Sequence, residues 1–89
     1  MGIKILQWNL RGFFKRLTFL QAIISDLLPN IICLQETHLS QNTIPILKNY
    51  QDPPVIRGRD EHSGGTCIFV RSGIPFTNIE IPLDIAASA

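Results

Sequence analysis

The sequence is short of charge, of cysteine and of long apolar runs, and each shortage closes off a class of protein. Only 17% of its 89 residues are Asp, Glu, Lys or Arg, against 45% hydrophobic. A disordered polyelectrolyte is thereby excluded, and so low a charge density predicts strands covered on both faces. No apolar stretch reaches the roughly 18 residues that a membrane helix requires. Met1-Gly2-Ile3-Lys4-Ile5-Leu6 lacks the shape of a secretory signal, and Leu6 stands where N-myristoylation needs Ser or Thr. These absences predict a soluble intracellular chain with no membrane partner.

The two cysteines, Cys33 and Cys67, lie in apolar stretches without a His or Cys at metal-ligand spacing. Both therefore read as buried free thiols. A Gly-x-Gly-x-x-Gly turn, a phosphate-loop Lys and a nucleophile elbow are also lacking, which disfavours a nucleotide-binding α/β domain. Acidic residues are missing from the first quarter of the chain. Lys4, Arg11, Lys15 and Arg16 all precede the first acid, Asp26, although the formal net charge is only +1.

What is present is a strand, helix, strand pattern. Gly2 to Asn9 carries Ile3, Ile5, Leu6 and Trp8 and reads as a strand that ends on a polar residue. Leu10 to Phe14 is a short loop around Gly12. From Lys15 to Leu28, the positions Leu17, Leu20, Ile23, Ile24, Leu27 and Leu28 recur at helical spacing, and Pro29 stops the helix. Ile31 to Glu36 is a second strand, apolar until its last two residues. The three elements form a βαβ unit, which requires a parallel pair. Asn9 and Glu36 therefore leave neighbouring strands at one edge of the sheet, where open α/β sheets place their ligands.

Further along, Leu39 to Leu47 is ambiguous, because Pro45 interrupts its one helical turn. Gln51-Asp52-Pro53-Pro54 is a turn, Val55-Ile56 a short strand, and Arg57 to Gly65 a polar loop. Thr66 to Val70 is a clear strand turned by Ser72-Gly73, and Ile74 to Leu83 reads as an edge strand bounded by prolines. Ile79, Ile81, Leu83 and Ile85 still alternate when the chain stops at Ala89. The expectation is an incomplete single domain spanning residues 1–89.

Glu36 offers the carboxylate that a divalent cation needs, and Asn9 offers a neutral partner for an adjacent ligand or a phosphate. Equally ordinary roles are a solvated strand end for Glu36 and a turn for Asn9. Arg11, Lys15 and Arg16 lie on the same edge and suit phosphates, or simply solvate a helix start. His38 either donates to a phosphate or caps its loop. His62-Ser63-Gly64-Gly65 is either an anion-binding nest or a Gly-rich turn.

Gln7-Trp8-Asn9-Leu10-Arg11-Gly12, Leu34-Gln35-Glu36-Thr37-His38-Leu39 and Ser63-Gly64-Gly65-Thr66-Cys67-Ile68-Phe69-Val70, taken in this order, resemble the opening third of the endonuclease/exonuclease/phosphatase superfamily. Within it, they look most like the apurinic-type endonuclease domain that begins non-LTR (LINE-like, jockey-like) retrotransposon polyproteins. The resemblance implies an α/β fold of two packed sheets flanked by helices, with this chain as its N-terminal βαβ portion. It implies that Glu36 binds Mg²⁺, or Mn²⁺, and that Asn9 supports the site and the scissile phosphate. Thr37, His38, Ser63 and Gly64 would lie along the nucleic-acid face, which Arg11 and Lys15 join on their charge and placement alone. The implied chemistry is metal-assisted hydrolysis of a DNA phosphodiester, priming an RNA-directed DNA polymerase (reverse transcriptase) further along the polyprotein. Element RNA would then be a partner of the parent polyprotein, and the nucleus its place of action.

Repair relatives carry an acid two residues after the Asn, whereas this chain has Arg11, which favours the retroelement branch. The family's Asp-x-Asn and terminal Asp-His pairs have no counterpart here, since Asp84 is followed by Ile85 and Ala86. The chain by itself is therefore expected to be inactive. Two alternatives stand beside this reading: a lipid or inositol phosphoesterase of the same superfamily, and a non-catalytic remnant or module that holds nucleic acid through Arg11, Lys15 and Arg16.

Overall fold

The computed structural model describes residues 2–40, 42–58 and 64–76. These form a mixed α/β unit, as the pattern of elements predicts, with one four-stranded sheet and one helix. Strand β1 (Ile5–Asn9) leads into helix α1 (Phe13–Leu27), which returns to strand β2 (Ile31–Gln35). Strand β3 (Val55–Arg57) and strand β4 (Thr66–Val70) complete the sheet in the order β1-β2-β4-β3. β1 and β2 pair in parallel with Asn9 opposite Gln35, and β4 is antiparallel to both β2 and β3.

The register explains where the core lies. Leu6 and Trp8 stand opposite Ile32 and Leu34, which stand in turn opposite Phe69 and Cys67. Alternation puts all six on one face of the sheet. Helix α1 closes that face through Phe13 and Leu20, with Leu17 and Ile24 partly buried against the same cluster. Phe13 lies over Phe69 with ring centroids 6.4 Å apart, and Tyr50 meets the same ring edge-on at 6.4 Å. Tyr50 also donates its hydroxyl to the Pro29 carbonyl at 2.6 Å, so the turn that ends α1 is tied into the core.

The ends of the elements differ from the sequence-based boundaries for local reasons. The helix starts at Phe13 instead of Lys15, because Phe13 is buried and its amide is bound by the Thr37 carbonyl at 2.8 Å. It ends at Leu27, where Leu28 takes a left-handed conformation and donates back to Ile24. Pro29 has no N–H with which to continue. Lys4 supplies the cation that favours this end, its ammonium donating to the Leu27 carbonyl at 3.2 Å. β1 begins at Ile5, not Gly2, because Lys4 is taken up by Asn30 through both its amide and its carbonyl.

Coverage of the sheet is one-sided in the described residues. The helix occupies one face, while on the other Cys33 is only partly buried and Ile5 is 62% exposed. The low charge density predicts cover on both faces; among the described residues only one helix supplies it. Cys67 is buried as expected, whereas Cys33 is buried only in part, and burial pushes its thiol upward. Residues 39, 40 and 42–47 form neither helix nor strand, and the Asp52–Pro53 peptide in the following turn is cis. Ile74 to Phe76 are not strand, and the rest of the expected edge strand lies outside the described residues. No helix among those residues is long and apolar enough to cross a membrane.

Candidate functional site

The polar ends of β1 and β2 do not fray where the strands stop. Beyond β1, the amides of Leu10, Gly12 and Phe13 donate to the carbonyls of Gln35, Glu36 and Thr37 at 2.8–3.0 Å. On the opposite side, the amides of Thr37 and His38 donate to Gly65 and Gly64 at 3.2 and 2.7 Å. Glu36-Thr37-His38 is thus clamped by backbone on both flanks. A segment paired on both sides is held as firmly as an interior strand.

The clamp sustains an unusual backbone. Arg11, Glu36 and His38 take φ values of 55°, 51° and 51°, and these are three of the five non-Gly residues with positive φ among those described. Such a conformation costs on the order of 1 kcal/mol or more per residue and persists only where its surroundings impose it. It also breaks the alternation of β2, which is why the strand ends at Gln35 and not at Glu36. Gly12 at φ 119° supplies the sharp turn from β1 into α1.

Gly64 is explained by contact. A side chain there would bring its Cβ within 2.7 Å of the Glu36 Cα, 3.0 Å of its Cβ and 3.1 Å of its Cγ. The Gly64 backbone therefore lies directly against the acid, which only glycine permits. Its carbonyl also receives the Thr37 hydroxyl at 3.4 Å. Thr37 is 1% exposed, so its side chain anchors the clamp from within.

The structure brings most of the sequence-predicted residues to one place. Arg11, Lys15, Thr37 and His38 line a common groove of about 240 Å³, together with Gly12, Phe13 and Phe14. Asn9 ends the adjacent strand one register step before Glu36, and it is exposed. Ser63 lies outside the described residues. Gly12, Phe13 and Phe14 line the groove from the stretch that the sequence predicts as a loop without a site role, and an aromatic pair set between Arg11 and Lys15 is their signal. No acid occupies the first turn of α1, so that turn carries only the positive charges of Lys15 and Arg16.

Glu36 and Asn9 offer hard oxygen donors, the type that suits Mg²⁺ or Mn²⁺. Among the described residues, no group of three His, Cys, Asp or Glu side chains gathers around a common point. The donor set present therefore fits such an ion as one carboxylate ligand with a neutral neighbour. Mg²⁺ is typically bound by one or two carboxylates plus waters and phosphate oxygens.

Residues 6–85 match the sequence model of the Endonuclease/Exonuclease/phosphatase family. No curated protein matches the chain. Among solved structures, the chain is similar to the APE2 catalytic domain of Xenopus laevis, with 28% identity and a TM-score of 0.62. The alignment covers 79% of this chain and 24% of that one, so the chain spans about a quarter of the structure it resembles.

Proposed function

The chain belongs to the endonuclease/exonuclease/phosphatase family, and on that premise we propose that it is the N-terminal part of a Mg²⁺-dependent DNA endonuclease domain of a non-LTR retrotransposon. The observation that carries this reading is the clamped Glu36, held beside Asn9 and next to a groove lined by Arg11, Lys15 and His38. The 24% coverage of the similar catalytic domain supports a chain that holds only part of a site.

In this reading, Glu36 holds the cation at the end of β2. Bound there, the metal would offset charge on the phosphoryl oxygens and on the leaving 3′ oxygen. Asn9 orients the scissile phosphate without adding repulsion. Arg11, Lys15 and His38 receive flanking phosphates, which supply affinity and position but no sequence discrimination. The clamp fixes the Glu36 backbone before substrate arrives, so little ordering remains to be done on binding. The remaining acids and the base come from chain beyond these 89 residues, and the nick leaves a 3′ hydroxyl that primes reverse transcription of element RNA in the nucleus. Arg11 favours the retroelement branch over repair enzymes, because it stands where the latter carry an acid.

The experiment is nicking of supercoiled plasmid. The complete reading frame should nick in Mg²⁺, and Glu36→Ala should reduce nicking to background. Undiminished nicking by that variant rejects the role of Glu36, and nicking by the purified 89-residue chain rejects its proposed inactivity.

A further inference from the structure

Helix α1 carries large aromatic rings on the side it turns away from the core. Phe14 is 63% exposed and Phe19 64% exposed, where an amphipathic helix ordinarily places polar residues. They are not isolated. Trp8, half-buried at the end of β1, meets Phe19 with ring centroids 5.8 Å apart and planes tilted by 53°. Between these rings and the side chains of Lys15 and Arg16 lies an open cavity of about 350 Å³. Lys15 lines this cavity and also the groove beside Glu36, so the two form one continuous surface.

The composition of this surface specifies its occupant. Cations beside exposed ring faces fit a polyanion that also presents flat apolar planes, and a single nucleic-acid strand has both. Duplex DNA presents phosphates and base edges but keeps its base planes stacked. We infer that Trp8, Phe19, Lys15 and Arg16 form a platform for single-stranded DNA, on which unpaired bases stack while the two cations take the phosphates. The choice of DNA rests on the proposed substrate of the adjoining groove: a strand leaving that groove past Lys15 runs onto the platform. The platform itself uses no metal.

The test uses the full 89-residue chain in EDTA and the fluorescence anisotropy of a labelled twelve-residue oligothymidylate. Binding to the thymidylate is expected about tenfold tighter than to an abasic strand of equal charge, the order set by base–aromatic stacking. Emission of Trp8, the sole tryptophan, should be quenched on binding. Arg16→Gln should lower the slope of log affinity against log salt by about 0.7, the value for one phosphate contact on a single strand. Phe19→Leu should abolish the preference for bases over abasic sites and leave the salt slope unchanged. Phe19→Tyr, which restores a ring, should recover that preference and guards against misreading a folding defect.

Equal affinity for the abasic strand, absence of binding, or an unchanged salt slope in Arg16→Gln overturns the proposal. Tighter binding of oligouridylate overturns the assignment to DNA, and displacement by a polyglutamate peptide at equal charge shows an acidic-protein site instead. Because the readout is metal-free, its failure leaves the Mg²⁺-dependent nicking of the complete reading frame untouched, and the converse also holds.

Discussion

Gly64→Ala is the smallest change that should disturb the clamp, and its effect can be worked from contacts. The added Cβ would lie 2.7 Å from the Glu36 Cα, a distance no relaxed methyl group tolerates against backbone. Either residue 64 or residue 36 must withdraw. Withdrawal of residue 64 stretches the His38 amide bond to its carbonyl, now 2.7 Å, and the adjoining Thr37 bond to Gly65, now 3.2 Å. Each such bond contributes about 1 kcal/mol net, and overpacking a tight site adds about 1–3 kcal/mol. Backbone conformation adds nothing, since Gly64 is not among the glycines with positive φ. A destabilisation of about 3–5 kcal/mol corresponds to a fall in melting temperature of roughly 12–40 °C for a domain of this size. Thermal melting followed by circular dichroism measures it, with Gly2→Ala as the control, because nothing lies within 4 Å of a Cβ there. A Gly64→Ala chain that melts with the parent would refute the clamp as the determinant of Glu36 placement.

Two further perturbations probe the core beneath the site. Phe69→Ala removes a fully buried ring that Phe13 and Tyr50 both pack against, and should cost about 3–5 kcal/mol in urea denaturation. The Tyr50 phenol is raised above its ordinary value of 10 by burial, with Arg71 partly opposing. Stability tied to the neutral phenol is therefore intact below pH 10 and is lost as pH rises through the raised value. Tyr50→Phe should flatten that alkaline loss and cost about 1 kcal/mol at neutral pH through the hydroxyl bond to Pro29.

Much of the fold was legible because its signals were local. Periodicity marks Leu17, Leu20, Ile23, Ile24, Leu27 and Leu28 as one stripe; Leu17, Leu20 and Ile24 pack into the core, whereas Leu27 and Leu28 stay exposed at the end of the helix, which Pro29 stops within one residue of where it ends. The strand Thr66–Val70 has the bounds that its sequence predicts, since a β-rich apolar run between glycines has few alternatives. The adjacency of Asn9 and Glu36 followed from the parallel pairing that a βαβ unit requires. Less legible was anything that depends on long-range contact. The left-handed conformation of Glu36 is imposed by Gly12 and Phe13 on one side and Gly64 and Gly65 on the other. Sequence pattern could present Gly64 as a nest or a turn, yet its closest constraint is a steric one 28 positions away. The exposure of Phe14 and Phe19 is likewise not legible in the sequence, because hydrophobicity alone does not tell an outward ring from an inward one.

The central claim is that Glu36 is a metal ligand held at the end of β2. Addition of Mn²⁺ to the ¹⁵N-labelled chain, followed by paramagnetic broadening of its amide signals, tests it directly. The account predicts broadening centred on Glu36 and Thr37 and extending to Asn9 and Leu10, abolished by Glu36→Gln while the remaining spectrum is preserved. Broadening centred elsewhere, on Asp26 or Asp52 for example, or broadening that survives Glu36→Gln, would contradict it.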